Sequence, residues 1–400
     1  MDPRTNPYAP GAGTPPPELA GRDAAIEQAA VALDRIRDGR AARSVIFYGL
    51  RGVGKTVLLN QIRVDAEARG IVAVSMEAPE ERSLPALLAP SLRAALLRLD
   101  RGEALKAGTR RALSALAGFI SRLKIKYQDI ELAMDVPPEA GLADSGDLDN
   151  DLGDLIVTVG EAAAGRKTAI VLFIDELQYV PEDQLAALIM ALHNATSQKQ
   201  LPVTMVAAGL PQLFGRMGRA KSYSERLFEF VSIGRLDAEA ATAALCVPAE
   251  REGTTFNSDA IAEILRRTDC YPYFLQEWGK HSWNVAERSP INLADAKLAN
   301  QEAINELDAS FFRVRFDRLT PSEKRYMRAM AELGPGPHRS GEVADLLRKK
   351  VTTTAPTRNA LITKGMIYSP AHGDTAFTVP LFDGFMKRII PEMPPKKGEL

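Results

Sequence analysis

Cysteine is nearly missing from this chain. Cys246 and Cys270 are the only two in 400 residues, and their separation fits neither a C-x-x-C redox pair nor a zinc framework. A disulfide scaffold is excluded, and a reducing, cytoplasmic compartment is the expectation. Long apolar runs are missing too. No window approaches the roughly 18 consecutive apolar residues that a membrane-spanning helix needs, so no membrane partner is expected. The opening stretch MDPRTNPYAPGAGTPPPELA carries six prolines and none of the apolar core of a secretion signal. Net charge is almost absent at −1, which excludes a chain that is a polycation or polyanion throughout.

What is present is an ordinary globular composition, 46% hydrophobic and 25% charged, over a length that suggests two or three domains. The near-zero net charge hides an asymmetry. Residues 311–390 hold 14 Lys and Arg against 7 Asp and Glu, so the basic surplus sits at the C-terminal end of a mildly acidic chain. Residues 1–17 are expected to form a flexible, proline-rich arm.

The most specific stretch is FYGLRGVGKT, Phe47 to Thr56. Gly49, Leu50, Arg51, Gly52, Val53, Gly54, Lys55 and Thr56 spell G-x-x-x-x-G-K-[ST] in full, the pattern of a phosphate-binding loop. The apolar run SVIFY precedes it, and KTVLLNQIRVDAEA, which includes Val57, follows with helical spacing. The residue types follow from the chemistry. Glycines let the backbone wrap closely and aim successive N–H groups at a polyphosphate held at the positive end of the next helix. Lys55 would reach the β and γ phosphates, and Thr56 would offer its hydroxyl to Mg²⁺. ATP and Mg²⁺ are the expected cofactors.

A second signature lies about 120 residues on. TAIVLFI, Thr168 to Ile174, is the continuous apolar run of a central parallel strand, and it ends in Asp175 and Glu176. Asp175 could order the metal and its waters, and Glu176 could polarise an attacking water; the alternative is that both only cap the next turn. Further strands are expected at 71–76, 202–208 and 228–233. Strands alternating with helices predict an α/β fold: a parallel sheet flanked by helices, with the nucleotide at the strand C-terminal ends.

Four other segments complete the reading. Residues 83–119 have a long helical pattern. LKIKYQDIELAMDV, Leu123 to Val136, alternates apolar and polar residues as a hairpin would. The acidic loop after it lacks EF-hand spacing and is expected to cap the next helix through Ser145 or Asp147. Residues 237–310 turn helical, as in a lid, with Phe274, Leu275 and Trp278 at core spacing. The last unit opens on the capping box Thr320-Pro321-Ser322-Glu323. Helices over 321–332, 341–347 and 355–364 and strands at 366–369 and 375–379 then make a winged helix-turn-helix over 311–390, followed by a tail at 391–400.

On these residues the chain resembles an ATPase of the AAA+ superfamily, on the side bordering the STAND ATPases, and is similar to archaeal Orc1/Cdc6-like and archaeal-type ATPases with a helical lid and winged helix. The resemblance implies an ATPase domain over 18–236, a lid over 237–310 and adenine contacts from Gly21, Arg22 and Asp23, which match a box ahead of the phosphate loop. It also implies a lid motif at Pro272, with Arg266 and Arg267 just upstream, and an arginine finger at Arg226; an exposed, solvated Arg226 is the alternative. It implies a possible homo-oligomer as well. Two departures stand out. The lid shows no clear sensor 2 arginine, although Arg266 and Arg267 lie just upstream of Pro272. The strand that carries a polar sensor residue in such proteins ends here in Ala207, Ala208 and Gly209, so slow hydrolysis is the expectation.

Two function classes follow. In one, ATP governs how the winged helix docks on duplex DNA, through Arg348, Lys349, Lys350, Thr352, Thr353, Arg358, Asn359 and Lys364. In the other, the winged helix binds a protein partner in a STAND-like signalling switch.

Overall fold

The computed structural model describes residues 1–11, 13–79, 82–100, 106–124, 126–127, 129–130 and 132–392. The chain divides into two compact units. One comprises Arg22–Gly49 and Lys55–Ile233; the other comprises Met1–Gly21, Leu50–Gly54 and Gly234–Leu400.

The first unit is a five-stranded sheet wrapped by helices. Its strands are β1 (Ser44–Tyr48), β2 (Val72–Glu77), β3 (Ile170–Asp175), β4 (Val203–Gly209) and β5 (Phe228–Ser232), in the order β2-β3-β4-β1-β5. All neighbours run parallel. The inner strands β3 and β4 are buried along their whole length. That is why they are written almost entirely in Val, Ile, Leu, Phe, Met and Ala. Helices α1 (Asp23–Arg37), α2 (Lys55–Ala68), α3 (Leu84–Leu99), α4 (Ala107–Leu123), α5 (Leu148–Gly165), α6 (Glu182–His193), α7 (Gln212–Ala220) and the short α8 (Ser224–Leu227) complete it. The helical region expected over 83–119 holds, among the described residues, the two helices α3 and α4.

Residues 123–136 differ from the hairpin expectation. Among the described residues of that stretch no strand forms. The alternation is real, but it serves a loop. Ile130 is buried, Tyr127, Leu132, Met134 and Val136 pack on the core, and Asp129 accepts hydrogen bonds from the N–H and Oγ of Ser83 at 2.7 and 2.9 Å, ahead of α3. The acidic loop is likewise organised. Asp147 caps α5 by accepting from Asn150 N at 3.0 Å. Buried Asp151 takes the N–H groups of Ser145 and Gly146, each at 2.9 Å, and the Ser145 hydroxyl at 2.7 Å.

The second unit is mainly helical. Helices α9 (Ala238–Arg251), α10 (Ser258–Thr268), α11 (Pro272–Val285), α12 (Leu293–Ala309) and α13 (Phe311–Asp317) come first. Phe274, Leu275 and Trp278 lie in their core. There follow α14 (Pro321–Leu333), β6 (His338–Arg339), α15 (Ser340–Leu346), α16 (Val351–Thr363), β7 (Ile367–Tyr368), β8 (Asp374–Phe377) and α17 (Phe382–Ile389). The three short strands form an antiparallel sheet in the order β6-β8-β7. The capping box at α14 is made in full by Thr320 and Glu323. The first part of the expected arm is not free. Tyr8 is buried over Gly279, where a Cβ would meet its ring at 2.6 Å, and Asn6 donates to the Lys280 carbonyl at 3.0 Å. Among the described residues no helix is long and apolar enough to cross a membrane.

Candidate nucleotide site

The phosphate loop lies between β1 and the first turn of α2. Gly52 and Gly54 have φ of +82° and +88°, a region that residues with a Cβ rarely adopt, so these two positions need glycine. Gly49 N–H donates to the Gly209 carbonyl at 3.1 Å, tying the loop's start to the tip of β4. Lys55 is buried, although lysine rarely is.

Thr56 and Asp175 meet. Thr56 Oγ1 donates to Asp175 Oδ2 at 2.6 Å, and Asp175 Oδ1 accepts from Glu176 N–H at 2.8 Å. Burial raises the Asp175 carboxyl above the usual range, with the Thr56 hydroxyl and the Glu176 N–H pulling the other way. A buried carboxylate and a hydroxyl side by side are hard oxygen donors of the kind Mg²⁺ takes.

Glu176 sits just past β3 with φ of +52°, a left-handed conformation uncommon for a residue with a side chain. Its carboxylate accepts a hydrogen bond from Gln178 Nε2. Gln178 stands beside Glu176 and was passed over in the sequence. Its side chain is buried, and its Oε1 accepts from Leu210 N–H at 2.9 Å, just beyond β4. A Cβ on Gly209 would stand 2.8 Å from that Oε1. The small residues at the end of β4 therefore make room for a polar side chain supplied from the β3 side. Arg216 on α7 adds a clamp, donating to the carbonyls of Gln178 and, at 2.8 Å, of Val180.

Within the second unit, the segment Leu50–Gly54 is held by the helical region and the C-terminal elements. Arg51 N–H donates to the Thr378 carbonyl at 3.2 Å, and the Tyr271 hydroxyl donates to the Arg51 carbonyl. Tyr273 N–H donates to the Gly52 carbonyl at 3.2 Å. A Cβ on Gly52 would meet Tyr273 Cβ at 3.1 Å and Tyr271 Cε1 at 3.2 Å. Tyr271 and Tyr273 were not singled out in the sequence, where they flank the highlighted Pro272, the first residue of α11.

The other expected residues fall as follows. In the second unit, Gly21 has φ of +66° and packs so closely on Ala240 that a Cβ would stand 2.7 Å away. Arg22 is buried, which lowers its pKa, and Asp23 opens α1 in the first unit. Arg226 is exposed on α8. Arg266 and Arg267 both pair with Glu263. Arg348, Lys349, Lys350, Thr352, Thr353 and Asn359 are exposed at and beyond the start of α16. Arg358 and Lys364 are engaged inside the unit. Arg358 donates to Thr375 Oγ1 at 2.8 Å and Ser369 Oγ at 2.9 Å, and Lys364 Nζ to Glu323 Oε2 at 2.8 Å.

Residues 18–206 match the family described as AAA ATPase domain. This chain carries an AAA ATPase domain. Residues 309–386 match a domain of unknown function, DUF8462. An uncharacterized HTH-type transcriptional regulator of Methanocaldococcus jannaschii is 23% identical over 232 residues. That match spans 56% of this chain and 56% of the regulator, so the chain covers little more than half the length of this curated relative. Among solved structures, a Walker-type ATPase of Pyrococcus abyssi superposes over 94% of this chain and 97% of its own, with TM-score 0.53 and 14% identity. At that identity the likeness establishes the fold, a P-loop ATPase sheet with a helical C-terminal region. The Aeropyrum pernix Orc1 protein in complex with DNA aligns over 93% of this chain and 94% of its own at TM-score 0.47 and 14% identity.

Proposed function

We propose that the AAA ATPase domain works as a switch in which ATP bound at Gly49–Thr56 governs how the C-terminal elements from α14 to β8 meet duplex DNA. The observation that carries the reading is the hydrogen bond from Arg51 N–H, in the middle of the phosphate loop, to the Thr378 carbonyl beyond β8. A polyphosphate that draws the loop's N–H groups toward itself competes for Arg51 N–H, so nucleotide and C-terminal unit draw on the same backbone group.

The chemistry divides among named side chains. Lys55 compensates phosphate charge. Thr56 and Asp175 would hold Mg²⁺, which when bound neutralises charge on the phosphate oxygens. Glu176 accepts a proton from the attacking water, and Gln178 holds Glu176 in register with the tip of β4. Gly21, Arg22 and Asp23 take the adenine-contact role that the resemblance implies. Exposed Arg226 acts as a finger only toward a neighbouring copy, which makes a homo-oligomer part of the proposal.

For the DNA contact, helices α14, α15 and α16 with the sheet β6-β8-β7 support a winged helix-turn-helix reading, and the similarity to an HTH-type regulator agrees with it. The Arg348-Lys349-Lys350 run lies at the N-terminus of α16, where it would position phosphates, with Thr352, Thr353 and Asn359 along the same helix. A protein-docking role, as in a STAND-like switch, has one observation in its favour. Arg358 and Lys364 are spent on internal partners, which thins the basic face.

Replacing Tyr271 with Phe removes the hydroxyl bond to Arg51. Under this reading Tyr271→Phe protein binds ATP, but its DNA affinity responds less to ATP than that of the unaltered protein. An unchanged ATP response in an electrophoretic DNA-binding assay overturns it.

A further inference from the structure

Away from the phosphate loop, α11 and α12 bring together Glu277, His281 and Glu306. Glu277 and His281 are four residues apart on α11 and share a face; Glu306 comes from α12. His281 Nε2 lies 3.0 Å from Glu306 Oε2 and 4.0 Å from Glu277 Oε2, and one ligand atom from each residue falls within 4.8 Å of the others.

Two features set this cluster apart from an ordinary surface ion pair. First, Glu277 is 4% exposed and His281 7%, yet Glu277 Oε2 and His281 Nε2 have no partner in hydrogen-bonding geometry. A buried unsatisfied carboxylate oxygen is costly, and here it faces an imidazole nitrogen across a gap of ionic size. Second, the outward oxygen of each carboxylate is occupied. The Tyr273 hydroxyl donates to Glu277 Oε1 at 2.9 Å, and Lys280 Nζ donates to Glu306 Oε1 at 2.6 Å. Each Glu is oriented through one oxygen and turns the other toward His281, and Glu277 Oε2 also lies 4.0 Å from Lys280 Nζ. That is the arrangement by which neighbouring groups orient the ligands of a metal.

We propose that Glu277, His281 and Glu306 bind a divalent cation of the zinc class, which staples α11 to α12. One imidazole and two carboxylates suit Zn²⁺, whose bonds to N and O are about 2.0–2.2 Å, so ligand atoms now 3.0 and 4.0 Å apart need only small side-chain movements to share an ion. Lys280 is partly exposed and can turn to solvent as the cation arrives. Mg²⁺ is disfavoured by the imidazole and by its demand for near-octahedral oxygen ligands. The ion would also steady Glu277, and through it Tyr273, whose N–H meets Gly52.

The test uses the full chain, stripped with a chelator and free of nucleotide, titrated with Zn²⁺ in excess Mg²⁺ by calorimetry, with metal retained after desalting measured by mass spectrometry. Co²⁺ substitution gives an independent absorption signature. The expected result is stoichiometric Zn²⁺ retention and a raised Tm in the unaltered protein. Both are lost in His281→Ala and in Glu306→Gln; the second substitution lies at a half-exposed position and leaves the core intact. Failure of the unaltered protein to retain Zn²⁺ overturns the proposal, as does retention that survives in both variants, which assigns the metal to adventitious sites.

Discussion

Thr56 Oγ1 and Asp175 Oδ2 stand 2.6 Å apart, so the end of the loop motif and the end of β3, far apart in sequence, meet as one oxygen pair. Thr56→Ala removes one of the two oxygens and leaves Asp175 buried without that donor. The expected outcome is Mg²⁺-dependent ATP binding that weakens markedly while metal-free nucleotide binding changes little. Calorimetry with and without Mg²⁺ checks this.

Lys55→Ala acts differently, because it removes the lysine that the loop motif sets against the β and γ phosphates. Nucleotide binding should be lost with or without Mg²⁺. Equal ATP affinity in variant and parent, by the same calorimetry, contradicts the assignment.

For Glu176→Gln, ATP still binds while hydrolysis falls on the order of 10²- to 10⁴-fold, since the amide keeps the shape but accepts no proton. A steady-state ATPase assay reads this directly. Turnover at the parent rate makes Glu176 a cap for the turn that follows it.

Gln178→Leu keeps the volume and removes both bonds, to Glu176 and to Leu210 N–H. The turnover rate should fall by up to about 10²-fold with ATP affinity unchanged, because the carboxylate is freed but not removed. The orphaned buried N–H costs about 1–3 kcal/mol, measurable by urea denaturation. A stability loss with unaltered turnover leaves Gln178 a structural residue only.

How much of this was legible beforehand follows from how local each signal is. The loop, the strand ending in Asp175 and the helix start at Pro321 depend on residues adjacent in sequence, and all could be read there. Gln178 could not, because its role is set by Leu210 N–H and by the space left at Gly209, contacts made only once β3 and β4 pair. Residues 123–136 misled for a related reason. Alternation records which residues face the core, and Tyr127, Leu132 and Val136 do face it, but among the described residues of the segment no strand forms. Tyr8 was passed over because prolines dominate its neighbourhood, while what holds it is an opening over Gly279 on a distant helix. Arg358 and Lys364 counted as free positive charge in the sequence, and their partners Thr375 and Glu323 come from elsewhere in the same unit.

That last difference narrows the DNA-contact prediction to the exposed run. Replacing Arg348, Lys349 and Lys350 together with Ala should flatten the slope of log affinity against log salt on duplex DNA by roughly two to three units. ATP binding should be unaffected. An unaltered slope moves the C-terminal unit to the protein-docking class.

The central claim is that nucleotide and DNA binding are coupled, and fluorescence anisotropy of a labelled duplex at low salt, titrated with protein with and without ATP, tests it most directly. The account predicts that ATP shifts the DNA affinity of the unaltered protein by about 5- to 150-fold, the usual range of coupling between sites, and shifts that of Lys55→Ala not at all. Protein that ignores DNA in both nucleotide states, or an equal ATP response in Lys55→Ala, contradicts it.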